Sequence, residues 1–328
     1  MKLEHNKPIA LWLLASALLV LLMIFIGGLT RLTHSGLSMV EWQLFNLFPP
    51  LTTEEWSVEF AKYQLSPEFK QVNNFITLEN FKSIFWLEYI HRILGRICGI
   101  VIIIPMIYFY YHNYFQKKSI WPLSLGILVV MQGVIGWYMV KSGLVNTPNV
   151  SHYRLALHLS CATFLYCIIL WYFLKYLQVT KCAITKKLEI LILSLLTLSF
   201  LQIICGAFVA GLKAGMIYNQ FPLMGETFIP MEIYNIKGNI FSDMVFVQFT
   251  HRMLAYIIVT LSLVASLLFY KEKLPLYAFL IAIIPIMQSI LGIVTLIYIV
   301  PMEYALMHQM FSMALISVYL LCRYKFRS

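Results

Sequence analysis

Four histidines carry most of the chemistry open to this sequence: His91, His158, His251 and His308. Each lies about one helical turn inside the start of a long apolar run, where a buried imidazole is costly unless ligated or hydrogen-bonded. One such residue is most simply a packed, hydrogen-bonded core histidine. Four at one depth, two in each half of the chain, are better explained as ligands. Opposed imidazoles at matched depth suit bis-histidine haem iron between bundle helices. Zinc needs three or four converging nitrogen, sulfur or oxygen donors. The carboxy-terminal half lacks the carboxylate or cysteine that would complete such a set.

Two of these histidines sit in a near-repeat, Glu88-Tyr89-Ile90-His91-Arg92 and Gln248-Phe249-Thr250-His251-Arg252. Glu88 precedes His91 by three positions, so both share one helix face. A carboxylate there can accept protons or stabilise a developing cation; the simpler role is an acid favoured by the dipole at a helix start. The equivalent Gln248 cannot ionise, so the two halves are expected to do unequal work, with chemistry in the amino-terminal one. Arg92, Arg252 and, one turn beyond Arg92, Arg96 are candidate partners for haem propionates, since guanidinium suits carboxylate. Snorkelling or helix-end pairing is the structural alternative. His5 and His112 lie on the inner side without partners, and His34 and His152 lie on outer loops; none is assigned a role. The six cysteines form no CxxC pair and none falls in an outer loop, so neither a thiolate metal site nor a disulfide is expected.

The elements that must position these residues are membrane helices. Of 328 residues, 61% are hydrophobic and only 12% charged, with a mean hydropathy of +0.80; soluble domains carry about twice that charge. Eight runs are long enough to cross roughly 30 Å of hydrocarbon: 9–29, 88–110, 121–141, 153–175, 188–210, 246–270, 275–299 and 303–323. The first lacks a cleavage site and is expected to stay as a helix. The net charge of +10 reflects topology, not a nucleic-acid partner. Lys2, Lys7, Lys117, Lys118, Lys175, Lys181, Lys186, Lys187, Lys271, Lys273, Arg323, Lys325 and Arg327 fall at the termini or in the short even-numbered loops, while eleven of the fourteen acids lie toward the other side. Both termini are therefore expected inside, against anionic lipid. The absence of an Arg-rich, acid-poor leader points to a bacterial inner membrane.

The chain also repeats itself. Aligning Gly27 with Gly206 puts Gly36 on Gly215, and each stretch leads to an Asn and Pro segment, Asn46 to Pro49-Pro50 and Asn219 to Pro222. Met131-Gln132 with Gly136 corresponds to Met287-Gln288 with Gly292, and Gln202 with Gly206 has the same spacing. The expected fold is all-α and integral to the membrane. Its eight transmembrane helices form two pseudo-symmetric four-helix bundles, 1–178 and 179–328, as parallel repeats about an axis along the membrane normal. The outer loop 30–87 is too long to be a bare connector. Thr52 with Glu55 forms a capping-box pattern ahead of Trp56, Phe60 and Tyr63 at helical spacing, and Ser66-Pro67-Glu68 begins another helix. These short helices are expected to lie over the sites as a lid.

With these residues in view the chain resembles the haem A synthase family. The resemblance rests on GGLTRLTHSGLSMVEW at 27–42, the prolines at 49–50, EYIHRILGR at 88–96, HLS at 158–160, QFTHR at 248–252 and the histidine of LMHQM, and it spans nearly the whole chain. The long first outer loop is similar to the mitochondrial and alphaproteobacterial subtype. Another bacterial subtype carries cysteine pairs in outer loops, absent here, so no cysteine-based step carries over. What the resemblance implies is oxidation of the C8 methyl of haem O to the formyl group of haem A, by successive hydroxylations with loss of water, for terminal oxidases. It implies that His251 and His308 hold a haem b cofactor, that His91 and His158 hold the substrate haem O and then haem A, and that Glu88 is the catalytic carboxylate. Haem O synthase and oxidase assembly factors follow as partners by pathway alone, and homo-oligomerisation stays open. The competing function is a di-haem electron-transfer cytochrome b, but such a wire stacks its haems at two depths, and these four ligands share one. A transporter with a histidine and Glu88 proton path is disfavoured, since no charge lies near the bilayer midplane.

Overall fold

The computed structural model describes residues 6–42, 48–115 and 119–327. Lys2, His5, Asn46, Lys117 and Lys118 lie outside them. Among the described residues, eight helices are long and apolar enough to cross a membrane: α1 (Asn6–Leu32), α4 (Leu78–Tyr111), α5 (Trp121–Lys141), α6 (His152–Tyr176), α7 (Lys186–Gly211), α8 (Met244–Lys271), α9 (Pro275–Ile297) and α10 (Met302–Lys325). The short α2 (Thr53–Gln64) and α3 (Pro67–Gln71) lie between α1 and α4. Among the described residues the one extended pairing is a bridge between Met224 and Thr227. The reason is elementary: hydrocarbon offers backbone groups no hydrogen-bond partner, so each spanning segment must satisfy its own as a helix. Hydroxyls inside the helices do the same, Ser16 donating to the Trp12 carbonyl at 2.8 Å and Ser262 to that of Ile258 at 2.6 Å.

The helix boundaries match the apolar runs to within a few residues, with one exception. Helix α4 starts at Leu78, not at 88. The added stretch LENFKSIFWL is too polar for an apolar run, but the Thr77 hydroxyl caps the Asn80 N–H, and Phe81 and Phe85 bury one face. His91 is therefore the fourteenth residue of its helix, while His158, His251 and His308 are the seventh or eighth of theirs.

Two compact units form, Leu18–Ala162 and Met1–Ala17 with Thr163–Ser328. In the second, α7 packs on α8, α8 on α9, α9 on α10 and α10 back on α7, a closed four-helix bundle. Its core, away from the histidines, includes Leu188, Ile192, Ile258, Phe269, Ile281 and Tyr319. There the Tyr319 and Ser262 hydroxyls lie 2.6 Å apart, and Arg323 pairs with the buried Glu189 at 2.9 Å.

In Leu18–Ala162, α4 packs on α5, and α2 packs on α4. The loop 30–87 carries structure of its own, as its length demanded. Thr52 and Glu55 form the complete capping box of α2, and the Ser66 hydroxyl accepts from Phe69 N–H ahead of Pro67 in α3. Trp56 and Tyr63 of α2 join Phe81 and Phe85 of α4 in an aromatic cluster, with the Trp56 and Phe85 rings 5.1 Å apart edge to face.

Candidate haem centres

Each of the four histidines faces a glycine on a neighbouring helix. A methyl group on Gly27 of α1 would lie 3.5 Å from His91 Nε2 of α4, and one on Gly136 of α5 would lie 3.1 Å from His158 Cε1 of α6. The same holds for Gly206 of α7 against His251 of α8 at 3.2 Å, and for Gly292 of α9 against His308 of α10 at 2.8 Å. The glycines are the ones the repeat aligned; at Gly136, Gly206 and Gly292 a Cβ would crowd the ring, whereas at Gly27 it would meet His91 at ordinary contact distance. Three of the four carry a glutamine one turn earlier. Gln132 Nε2 donates to the His158 carbonyl at 3.3 Å, Gln202 to the His251 carbonyl at 2.9 Å, and Gln288 to the His308 carbonyl at 3.1 Å. The sequence showed these glutamines as a repeated spacing and gave no sign of what they bind.

The His251 and His308 ring centres are 6.5 Å apart with planes at 77°. Two imidazoles opposed across one metal ion, at roughly 2 Å from nitrogen to metal and about 1 Å more to each ring centre, place those centres about 6 Å apart. The Nδ1 atoms of His158, His251 and His308 are buried without a hydrogen-bond partner, the condition that burial penalises unless something else is bound. In Leu18–Ala162, His91 and His158 lie within electrostatic range of each other. The residues present thus fit iron held by paired imidazoles.

Glu88 is 2% exposed and receives four hydrogen bonds. Ser38 Oγ (2.8 Å) and Met39 N–H (2.7 Å) donate to Oε2, and Arg92 Nε (3.1 Å) and Nη2 (2.6 Å) donate to Oε1. Arg92 also donates to the Glu41 and Met39 carbonyls, each at 2.7 Å, and lies 5.2 Å over the Trp42 ring. The pair thus clamps the 38–42 segment to α4. Four of the five Arg92 donors are committed to this clamp, so its fit as a propionate partner rests on the one that remains.

The other unit repeats the clamp without the charge. Gln248 Nε2 donates to the Tyr218 carbonyl at 3.0 Å, and Arg252 donates to the carbonyls of Tyr218, Gln220 and Leu223 at 2.8, 3.0 and 3.2 Å. An amide donor now holds a loop carbonyl where the carboxylate held an amide and a hydroxyl. Gln248 Oε1 and Arg252 Nε are left buried and unpartnered. Arg96 lies one turn beyond Arg92 along α4. His34 ends α1 in the left-handed conformation, at φ 54°. The His112 ring packs on Tyr108 at 4.4 Å, and that of His152 on Tyr153 at 4.0 Å.

With the geometry in place, the relatives are informative. The family model for cytochrome oxidase assembly proteins, COX15-CtaA, matches residues 10–320. The chain belongs to this family. It is 42% identical over 336 residues to a Rickettsia felis protein named heme A synthase, covering 97% of this chain and 98% of that one. A heme A synthase of Rickettsia bellii is 44% identical with the same coverage, and one of Rickettsia prowazekii 41% identical over 99% of each chain. Eight apolar helices and this family membership make the chain a multi-pass membrane protein.

Proposed function

We propose that this protein is a haem A synthase, an oxidoreductase that converts the C8 methyl of haem O to a formyl group. The observation that carries the reading is a doubled histidine cradle with a carboxylate in only one copy. The Leu18–Ala162 unit, with Glu88, presents His91 and His158 to the substrate haem O and later to haem A. His251 and His308 would hold haem b, which would supply one-electron chemistry there. Arg252 offers its buried Nε to a propionate.

Glu88 acts as a fixed negative charge. All four hydrogen bonds to it come from donors and its surroundings exclude water, so it suits stabilising positive charge that develops on the substrate as the methyl is oxidised. Carrying protons would require breaking the clamp, which favours the electrostatic role over the general base. Arg92 sets the direction of the carboxylate, and the 38–42 segment walls it off from solvent. Overall the conversion is a four-electron oxidation: two hydroxylations of the methyl give a geminal diol that loses water to the formyl group, and the four electrons pass to an external oxidant. The lysine and arginine distribution supports a bacterial inner membrane with both termini in the cytoplasm and the histidine ends of the helices toward the periplasm. A haem O synthase as supplier and the oxidase assembly apparatus as recipient follow from pathway logic.

The test is extraction and mass analysis of haems bound to the protein from cells supplied with haem O. Haem A together with its hydroxylated precursor is expected. Unmodified haem alone, with reversible redox behaviour at both sites, would replace this reading by the di-haem electron-transfer cytochrome.

A further inference from the structure

The three glutamines that hold histidine carbonyls share one construction. Gln132, Gln202 and Gln288 each stand four residues before the glycine that faces the ring, and each amide reaches the carbonyl of the same histidine. The residue four positions after each histidine is small, Ala162, Ala255 and Ser312, which leaves that carbonyl open to a neighbouring helix. The fourth site has the same glycine and the same small residue, Gly27 and Gly95, but methionine replaces the glutamine at Met23. The Met23 Cε methyl sits 3.6 Å from where a Cβ on Gly95 would be, and in an α-helix the Gly95 N–H bonds the His91 carbonyl. Met23 therefore occupies the place from which an amide would reach His91, and a thioether has no hydrogen to donate.

We propose that Gln132, Gln202 and Gln288 are positioning residues that lock the height of three histidines, and that Met23 leaves His91 as the one exchangeable ligand, through which the substrate haem enters and its product leaves. A hydrogen bond between membrane helices ties one backbone to its neighbour and restricts the sliding and tilting that would draw a ring away from iron. Three ties against none at His91 separate a site that must turn over from one that must not. Both histidines of the Met1–Ala17 with Thr163–Ser328 unit are tied, as retention of a resident haem requires. In Leu18–Ala162 only His158 is tied, so haem keeps one anchor while the other opens. This inference rests on the proposed haem O site and adds which ligand yields.

Haem transfer from the full-length purified protein to excess apomyoglobin, followed by absorbance, tests it. Two phases are expected, a fast one from the haem on His91 and His158 and a slow one from the haem on His251 and His308. Met23→Gln should slow the fast phase about threefold, in keeping with one interhelical hydrogen bond, and leave the slow phase alone. Met23→Leu should change neither phase, because it adds no donor. Gln132→Met should speed the fast phase by a similar factor and carries the same test if Met23→Gln does not fold. A fast phase that vanishes in His91→Ala yet is indifferent to both Met23→Gln and Gln132→Met would overturn the inference and leave the haem O site standing. Two phases that persist in the His91→Ala, His158→Ala double variant would instead remove the haem O site itself.

Discussion

Glu88 and Gln248 occupy matching places in two copies of one clamp, and the difference between them is a charge. Because Gln248 and Arg252 hold their loop without a carboxylate, Glu88→Gln should fold and bind haem. Quantifying bound haem and analysing product by mass should show haem O retained, with conversion to haem A lost. Full conversion in that variant would take Glu88 out of the mechanism. Gln248→Glu, conversely, should not create a second site of oxidation, since the haem beside it is proposed as a cofactor and not a substrate. The glycines give a separate prediction. A methyl on Gly292 would meet His308 Cε1 at 2.8 Å, against 3.2 Å for Gly206 and His251. Alanine favours a helix over glycine by about 1 kcal/mol. Gly292→Ala should therefore leave thermal stability equal or higher while lowering haem b retention, and should do so more than Gly206→Ala. A stable variant with an unchanged Soret band would show that the ring is not held by this contact.

Among elements, α3 has a property that no helix-start pattern disclosed. Its Glu68 is 4% exposed and accepts a hydrogen bond from the Tyr63 hydroxyl at 3.1 Å, which in turn accepts from Asn73 Nδ2 at 2.9 Å. Burial pushes the Glu68 carboxyl up to about 7; the hydrogen bond from Tyr63 opposes this and the charge of Glu88 adds to it. The docked segment thus holds a proton that the undocked one releases near the ordinary value of 4.5. Docking is tightest below that value, weakens as pH rises toward 7, and levels off above it. Amide exchange of α2 and α3, corrected for intrinsic rates, should report weaker protection at about pH 8 than at about pH 5. Glu68→Gln should flatten the dependence, and a slope that survives this change would assign it to another group. The start of α4 shows the same limit of local reading. Thr77 and the aromatic face of Leu78–Leu87 extend the helix beyond the apolar run, because burial against Trp56 and Tyr63 replaces burial in lipid.

For the molecule as a whole, the charge distribution makes a prediction about sidedness. Cys182 is exposed between α6 and α7, and Glu226 is exposed between α7 and α8. In intact spheroplasts a membrane-impermeant maleimide should spare Cys182 and label a Glu226→Cys variant; inverted vesicles should show the reverse. The opposite pattern would turn the protein over and place the histidine ends of the helices toward the cytoplasm.

Much of this was legible in the sequence for a physical reason. Spanning helices are demanded locally, residue by residue, by the lack of partners in hydrocarbon, and a rise of about 1.5 Å per residue then sets the depth of each histidine. The internal repeat pairs Gly27 with Gly206 and Gly136 with Gly292 from the sequence alone. What only the tertiary structure decided are the partners. Ser38, Met39 and Glu41 meet Glu88 and Arg92 from 49 to 53 residues away in the chain, Gln132 meets His158 across 26, and Gln202 meets His251 across 49. Such bonds depend on which helices become neighbours and at what rotation, and no local spacing specifies that.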